Sequence, residues 1–514
     1  MKSNGKNAII IAVIALLMTA SLVGGYKAVT YVSSEVKKEF DSYSDPIVEK
    51  FYEDHEEMAP FEYKGVSKRE YSGPFIYQAG GYIFNSEGKV LEEYRNEMGN
   101  EFRMTKNIDA SEAVLVLNRK CIYMDADLKT TEISDNCGLA GMCFDGGYFF
   151  CLIKDGFNDS VYIYDISTGN MSLVRQGTGF HNVCISPDGK TLVYNFVSDP
   201  ETIYVKGIDT EEKAYSIDEE ADVIATVSDD GETVFYSCDD EYYCLDHGKV
   251  TDLGEKNIYK DYLTRDCKQI IFHDDEGNIR YYRAGDKKPS VLVKNDKVYM
   301  NIHGAAVMEQ DIYMSEYVVD ADSFSDVMMI VGERKCYALY GNTPEAVAVY
   351  KGDRSAYGFS TYVTADGPAY VYEDENRIWK AVFDGKSITS TVLFECEETS
   401  VDFVCSDDLS YVWVRDGRKI YLVKENAEPV LVAEIDKNSR FTTYDFRWDR
   451  FENRFCYIVD GNLCTVGETK DSIKTIMSNA ATFESYLPGD SKAVCVKSSD
   501  GERNIIIRDN ILTY

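Results

Sequence analysis

Residues 185–194 read Ile-Ser-Pro-Asp-Gly-Lys-Thr-Leu-Val-Tyr, and four further stretches repeat parts of this pattern. Residues 228–236 (SDDGETVFY) and 364–372 (TADGPAYVY) are clear copies, and residues 406–412 and 488–494 are more divergent ones. Pro presets φ, Asp bonds its own backbone and Gly accepts a positive φ, which together favour a tight turn. The β-branched and aromatic residues that follow are typical of a strand. Each copy therefore predicts a turn that leads into a strand.

The spacing of the copies predicts the architecture. Ser186 and Ser228 are 42 residues apart, and so are Asp366 and Asp408. A unit that recurs about every forty residues is typical of a β-propeller. The clearest unit predicts four strands, at 183–185, 191–197, 202–207 and 213–217. Four such strands joined by short turns make one propeller blade, so we expect an all-β fold.

The number of units exceeds one ordinary ring. Residues 61–514 provide about ten units of this length, whereas common propellers have about 4–8 blades. Two tandem rings are therefore favoured over one large ring. We expect propeller units in 61–298 and 351–514, with an irregular junction or insertion at 299–350, where the repeat loosens.

The first sixty residues differ in kind from the rest. Residues 8–26 carry no charge and follow two lysines, which predicts a transmembrane signal-anchor helix over 8–32 with residues 1–7 as a cytoplasmic stub. A signal peptide cleaved near residue 25 is the alternative, and it would make the protein secreted. Residues 33–60 are polar and contain Pro46, which predicts a stalk rather than a continuous helix. Either way, the bulk of the chain is expected outside the cytoplasm.

The chain is strongly acidic, with a formal net charge of −34. Such a surface repels nucleic acid and anionic lipid head groups, so neither is an expected partner. The charge serves solubility, or it attracts cations and basic partners.

The chain has 14 cysteines, and an exported location permits disulfides. Three pairs lie close in sequence: Cys137/Cys143, Cys238/Cys244 and Cys456/Cys464. The alternative is that the cysteines are free and act as small apolar residues inside strands.

The stretch at 186–194, Ser-Pro-Asp-Gly-Lys-Thr-Leu-Val-Tyr, resembles the repeat of TolB-type and related WD40-like β-propellers. The same repeat occurs in the propellers of prolyl oligopeptidase and dipeptidyl peptidase relatives. The resemblance covers residues of about 180–280 and 357–510 and implies the propeller fold. In that group the motif residues are turn and packing residues, so the resemblance implies no catalytic residue.

Sequence motifs for common chemistries are missing. There is no Gly-x-Ser-x-Gly elbow of a serine hydrolase, no Cys-x-x-Cys or His-x-His of a zinc site, and no glycine-rich phosphate loop. We therefore predict no catalytic and no cofactor-binding residue, and we expect that the protein is not an enzyme.

One acidic loop could hold a metal ion. Asp320, Asp322 and Asp326 could offer oxygen ligands to Ca²⁺. The loop lacks the Gly and the distant Glu of an EF-hand, so a solvated loop is the favoured interpretation.

Three tryptophans, Trp379, Trp413 and Trp448, are separated by 34 and 35 residues, close to the repeat. They could line a carbohydrate site at related blade positions, although packing between blades is the favoured explanation.

These observations favour a membrane-anchored, extracytoplasmic binding or scaffolding protein for a protein, peptide or glycan. The alternatives are an extracytoplasmic hydrolase or lyase that uses carboxylates in the propeller channel, and an accessory subunit of an envelope complex. Carboxylates converging in the channel with a perturbed pKa would favour the enzyme.

Overall fold

The fold is taken from a computed structural model of the chain. The residues that it describes are 42–45, 73–79, 82–91, 102–156, 158–218, 220–239, 241–255, 261–294, 301–303, 307–309, 316–324, 329–331, 335–340, 345–351, 360–364, 367–374, 376–383, 388–397, 401–406, 409–439, 441–449, 452, 454–483, 494–508 and 510–513. Within these ranges, no helix is both long and apolar enough to cross a bilayer. The transmembrane segment expected at 8–32 lies outside the described residues.

The first five sheets are antiparallel meanders in which consecutive strands pair. Sheet 1 has three strands and sheets 2–5 have four each. Sheet 1 is β2 (Ile76–Ala79), β3 (Tyr82–Asn85) and β4 (Val90–Leu91), and sheet 2 is β5 (Arg103–Lys106), β6 (Glu112–Leu117), β7 (Lys120–Asp125) and β8 (Thr130–Ser134). Sheet 3 is β9 (Cys137–Met142), β10 (Tyr148–Asp155), β11 (Asn158–Asp165) and β12 (Asn170–Gly177), and sheet 4 is β13 (Phe180–Ile185), β14 (Thr191–Phe196), β15 (Asp199–Gly207) and β16 (Lys213–Ser216). Sheet 5 is β17 (Val223–Val227), β18 (Thr233–Cys238), β19 (Glu241–Asp246) and β20 (Lys249–Glu255).

Sheets 6–8 depart from this plan by exchanging or adding strands. Sheet 6 is β21 (Asp261–Thr264), β22 (Gln269–His273), β23 (Ile279–Arg283) and β24 (Ser290–Val293), extended by β27 (Glu316–Val319) and β26 (Val307–Glu309). Sheet 7 is β25 (Asn301–His303), β28 (Met329–Val331), β29 (Lys335–Tyr340) and β30 (Glu345–Lys351). Sheet 8 is β31 (Ser360–Thr364), β32 (Gly367–Asp374), β33 (Arg377–Phe383) and β34 (Ile388–Glu395), to which β1 (Ser42–Asp45) adds a fifth strand.

The last three sheets return to the simple meander of four strands. Sheet 9 is β35 (Val401–Cys405), β36 (Val412–Asp416), β37 (Lys419–Val423) and β38 (Val430–Glu434). Sheet 10 is β39 (Phe441–Asp449), β40 (Arg454–Val459), β41 (Asn462–Val466) and β42 (Lys474–Ser478), with a short 3₁₀ helix at Lys470–Ser472. Sheet 11 is β43 (Ala480–Phe483), β44 (Val494–Ser498), β45 (Arg503–Ile507) and β46 (Asn510–Thr513).

The prediction of an all-β chain built from repeated four-stranded units is confirmed. The described residues form eleven sheets, close to the ten or eleven units that the spacing allows. Seven strands fall in segments for which no blade was expected. The stretch 299–350 contains β25 to β30, and β1 lies in the segment expected to be a stalk. The proposed domain boundaries stay predictions.

Most neighbouring sheets pack on one another through buried apolar side chains, and sheet 11 also packs on sheet 1. Buried clusters join sheets 1 to 2, 2 to 3, 3 to 4, 4 to 5 and 5 to 6, and others join 8 to 9, 9 to 10 and 10 to 11. Sheet 7 touches its neighbours through contacts of β30 with β24 and of β25 with β31. A further cluster joins sheet 11 to sheet 1.

The junction of the two chain ends combines apolar and polar contacts. Tyr82 of sheet 1 is 2% exposed and packs in one cluster with Ile505 of sheet 11. Its hydroxyl donates to the carbonyl of Thr513 at 2.5 Å. Arg508 Nε donates to the carbonyl of Ser86 at 2.7 Å. Residues more than 400 positions apart are thus held together.

The turn between the first and second strands of sheet 4 shows what the repeated motif does. The Ser186 hydroxyl accepts the N–H of Thr191 at 3.0 Å and donates to Asp188 Oδ1 at 2.7 Å. The same carboxylate oxygen accepts the N–H of Lys190 at 3.0 Å. Gly189 has φ +79°, as the turn requires. One hydroxyl and one carboxylate therefore satisfy the backbone of the turn and lead the chain into β14.

The same turn recurs in sheet 6, where the sequence disguises it. The Thr264 hydroxyl donates to Asp266 Oδ1 at 2.6 Å and accepts the N–H of Gln269 at 3.1 Å. Cys267 takes the glycine position with φ +55°, and its buried thiol contacts the Thr226 hydroxyl at 2.7 Å. The sequence does not show this copy as a Ser-Pro-Asp-Gly repeat, because Thr replaces Ser and Cys replaces Gly.

Gly189 offers a direct test of the motif's steric demand. A Cβ added there would lie 2.4 Å from Tyr148 Cβ and 3.0 Å from Cys143 Sγ, in addition to the strain of its positive φ. We expect Gly189→Ala to lower the free energy of unfolding by about 2–4 kcal/mol, as positive φ and overpacking add. Chemical denaturation followed by circular dichroism measures this loss.

Gly147→Ala is the matched control for this substitution. Gly147 has φ +81°, and nothing lies within 4 Å of an added Cβ. It should cost only about 1 kcal/mol. Equal losses in the two variants would contradict a steric role for Gly189.

Candidate functional site

The turns between the first and second strands of sheets 2–6 lie side by side at one end of the sheets; we call this surface the turn face. Three hydrogen bonds link neighbouring turns. The N–H of Ile108 donates to the carbonyl of Phe144 at 3.0 Å, and the N–H of Asp145 to the carbonyl of Pro187 at 3.0 Å. The N–H of Asp188 donates to Asp229 Oδ1 at 2.9 Å. The turn face is thus one hydrogen-bonded array.

Arg265 connects two turns of this array that belong to sheets that are not neighbours in the chain. Its guanidinium bonds both carboxylate oxygens of Asp145, with Nε to Oδ1 at 3.0 Å, so sheet 6 is joined to sheet 3 across 120 residues of sequence. The hydrogen bond to Asp145 raises the pKa of Arg265, and the charges of Asp145, Asp322 and Asp320 add to the effect. A bidentate pair of this kind fixes the relative orientation of the two side chains as well as the distance between them.

An apolar contact lies directly behind the Arg265–Asp145 pair. Phe144 is 1% exposed and packs in one buried cluster with Ala225, Leu263 and Val318. Val318 belongs to β27, which the chain inserts between β25 and β28 and which pairs in parallel with β21. The insertion therefore supplies part of the apolar packing around Phe144, which is next to Asp145 in the chain.

The pKa of the Asp229 carboxyl on the turn face is affected by neighbouring carboxylates. Asp229 is an exposed residue, but its carboxylate lies against the turn of sheet 4, where it accepts the N–H of Asp188. Burial raises the pKa of Asp229 from 3.8 to about 6, and the charges of Asp188 and Asp145 act in the same direction. A carboxyl with such a pKa changes its charge in mildly acidic solution.

The pKa of the next residue in the chain, Asp230, shifts in the opposite direction. Burial of Asp230 opposes ionisation, yet hydrogen bonds from the Ser228 hydroxyl, the Glu232 N–H and Lys268 lower the pKa of Asp230 to about 2. Lys268 Nζ lies 3.0 Å from Asp230 Oδ2. Adjacent residues of one turn therefore carry carboxyl groups of very different acidity.

The structure describes two of the three predicted calcium ligands, Asp320 and Asp322. Asp322 is exposed and lies 4.0 Å from the Arg265 guanidinium, and Asp320 contributes to the charge around the same arginine. Asp326 lies outside the described residues. In the described part of the chain, no group of three side chains is arranged to hold a metal ion. The calcium site stays a prediction.

The tryptophans do not occupy related blade positions. Trp379 lies on the third strand of sheet 8, Trp413 on the second of sheet 9 and Trp448 on the first of sheet 10. Trp413 is 1% exposed, with its ring centroid 4.8 Å from that of Trp448. The carbohydrate interpretation is wrong for Trp413, because its ring is buried in packing between sheets.

The three cysteine pairs expected from sequence proximity are wrong, because the partners point apart. Cys137 and Cys143 lie at the two ends of one strand, roughly 20 Å apart at strand geometry. The other pairs lie on hairpins, but their members belong to different buried clusters: Cys238 and Cys244 in one case, Cys456 and Cys464 in the other.

Comparison with known proteins shows no family for the chain. No protein-family model matches the chain, and no curated protein matches it. Hsv2 of Kluyvelomyces marxianus is a similar solved structure, with 11% identity over 56% of this chain and 97% of that one and a TM-score of 0.30. PorZ of Porphyromonas gingivalis, a surface component of the type-IX secretion system, has 12% identity over 87% and 63%, and a TM-score of 0.31.

TolB of Acinetobacter baumannii is also among the similar structures. It has 14% identity over 62% of this chain and 78% of that one, with a TM-score of 0.26. The repeat family is not confirmed, and these values are too low to assign a function.

The raised pKa of Asp229 predicts a definite pH dependence. Between pH 3.8 and about 6 the folded protein keeps a proton that the unfolded chain has lost, so stability falls as the pH rises through this window. Asp229→Asn keeps an acceptor for the Asp188 N–H and removes the charge. We expect it to raise the free energy of unfolding at pH 7 by up to about 1 kcal/mol, since solvent screens a partly exposed carboxylate. Denaturant titrations from pH 3 to 8 measure this gain, which should vanish below about pH 4.

Asp230→Asn is the matched control, with the opposite sign. The pKa of Asp230 is lowered to about 2, so its ionised form stabilises the fold above pH 3.8 and this contribution is lost as the pH falls towards 2. The variant should be less stable than the parent protein at pH 7. If both variants shift stability in the same direction at pH 7, the electrostatic account of this turn is incorrect.

Proposed function

We propose that the protein is a membrane-anchored, extracytoplasmic binding or scaffolding protein, and that the turn face binds a basic segment of a partner protein or peptide. The observation that carries the proposal is the rigid placement of Asp188 and Asp229 beside Asp145. Their turns are hydrogen-bonded to one another, so the carboxylates cannot move apart. Burial raises the pKa of Asp229, the charges of Asp188 and Asp145 add to the effect, and a bound cationic group would favour the ionised carboxylate.

The surrounding charges support the same choice of partner. Arg265 pairs with Asp145 and lies 4.0 Å from exposed Asp322, while Asp188 and Asp229 lie on the adjoining turns. The net charge of −34 adds long-range attraction for a basic partner. A glycan has no positive charge that would use this arrangement.

We further propose that the sheets form one large closed ring rather than two tandem rings. Packing of each sheet on the next, and of sheet 11 on sheet 1, supports a single circuit. The Arg265–Asp145 pair holds the turns of sheets 3 and 6 close together, so the proposed ring is narrower there. Several turns of the turn face therefore lie near one another.

A carboxylate-dependent hydrolase is the second candidate, because Asp229, whose pKa is raised to about 6, lies beside a second acid, Asp188. Such pairs supply general acid and base catalysis in many hydrolases. Both carboxylates, however, already accept hydrogen bonds from the turn backbone, which favours binding. An enzyme would turn over a peptide or glycan substrate with a pH profile that Asp229→Asn abolishes. A binding protein would show no turnover.

The binding proposal is tested with a defined probe, a lysine- and arginine-rich peptide labelled with a fluorophore. A triple variant with Asp188, Asp229 and Asp322 each changed to Asn should bind it at least roughly tenfold more weakly at 0.15 M salt, because the surface pairs that it loses are each worth up to about 1 kcal/mol. Fluorescence anisotropy gives the dissociation constant, and circular dichroism checks that the variant is folded.

The control removes the same charge from the opposite end of the sheets. Asp239, Asp460 and Asp500 lie in turns between second and third strands, and their change to Asn leaves the net charge equal to that of the first variant. This control should bind like the parent protein. Equal weakening in both variants would mean that only net charge matters and would overturn the turn-face proposal.

A further inference from the structure

Three buried thiols meet at the boundary between sheets 2 and 3. Cys121 lies on β7 of sheet 2, whereas Cys137 and Cys151 lie on β9 and β10 of sheet 3. All three are 0% exposed and belong to one buried cluster with Met142 and Phe149. The Cys121 thiol is in hydrogen-bond contact with the thiols of both Cys137 and Cys151.

The backbone fixes Cys137 beside the turn that precedes Cys121. The N–H of Cys137 donates to the carbonyl of Arg119 at 2.6 Å, which ties the start of β9 to the start of β7. Cys151 has no such tie to sheet 2, since its strand pairs with β9 and places it opposite Ala140. Cys137 is therefore the partner of Cys121 whose backbone position is set across the boundary.

We propose that Cys121 and Cys137 form a disulfide that joins sheets 2 and 3. Two S–H bonds break and one S–S bond forms. The two electrons and, through solvent, the two protons pass to an external disulfide oxidant, such as oxidised glutathione, whose S–S bond breaks to give two thiols. The sulfurs are fully buried in the folded protein, so the exchange takes place before the two sheets close on each other during folding.

In the folded protein the contact with Cys121 lowers the pKa of Cys137, which shows that the two thiols are close neighbours once the sheets have closed. An oxidising compartment belongs to the proposed function, but the chemistry is testable without it.

The test uses the full chain, refolded in detergent micelles with a mixture of reduced and oxidised glutathione. Free thiols are then alkylated, and the protein is digested with trypsin for mass spectrometry. Cys121 falls in peptide 121–129 and Cys137 in peptide 130–154, so the bond joins two peptides, and fragmentation distinguishes Cys137 from Cys143 and Cys151. We expect the Cys121–Cys137 link as the main product, and its reduction should lower the thermal unfolding midpoint.

Two variants sharpen the outcome. Cys121→Ser should abolish the link and remove the difference in unfolding midpoint between oxidised and reduced protein, whereas Cys151→Ser should keep both. The unmodified chain gives its own answer even if Cys121→Ser folds poorly. Alkylation of both Cys121 and Cys137 after refolding, or a main link from Cys121 to Cys151, would overturn the proposal. Neither result would bear on peptide binding by the turn face.

Discussion

The hydrogen bonds of one side-chain hydroxyl determine how several of the repeated units begin. In sheets 4, 5 and 6 a Ser or Thr hydroxyl accepts a backbone N–H five residues later and donates to the Asp two residues later. This bond holds the first hairpin in register, and a register shift of one residue would turn every apolar side chain to the wrong face. The packing of each sheet on its neighbours depends on that register.

The same turns also connect the sheets and create the candidate site. Because each turn ends at the same side of its sheet, backbone donors of one turn reach acceptors of the next, as Asp188 reaches Asp229. The polar array then brings carboxylates close together, and Arg265 neutralises Asp145. The grouping of carboxylates at this surface is thus a consequence of turn chemistry.

Much of the fold could be predicted from the sequence, and little of the site. The Ser-Pro-Asp-Gly spacing predicted four-stranded units correctly, because turn formation is local. The copy at Thr264 was missed since Cys267 adopts a positive φ that residue type alone does not predict. The Arg265–Asp145 pair joins residues 120 positions apart, and neither belongs to a motif. The cysteine pairs failed for a related reason: proximity in sequence does not show which face of a strand a thiol occupies, and Cys121 meets Cys137 only through packing of two sheets.

The central claim is that the hydroxyl-led turn controls its own hairpin and the adjoining turns. Hydrogen–deuterium exchange of Ser186→Ala, compared with the parent protein by mass spectrometry, tests it most directly. Loss of the acceptor for the Thr191 N–H should speed exchange in residues 183–197 roughly fivefold, since a hydrogen bond contributes about 1 kcal/mol. Smaller increases should appear in the turns that contain Asp145 and Asp229. Unchanged exchange in these segments, or an equal increase across all eleven sheets, would contradict the claim.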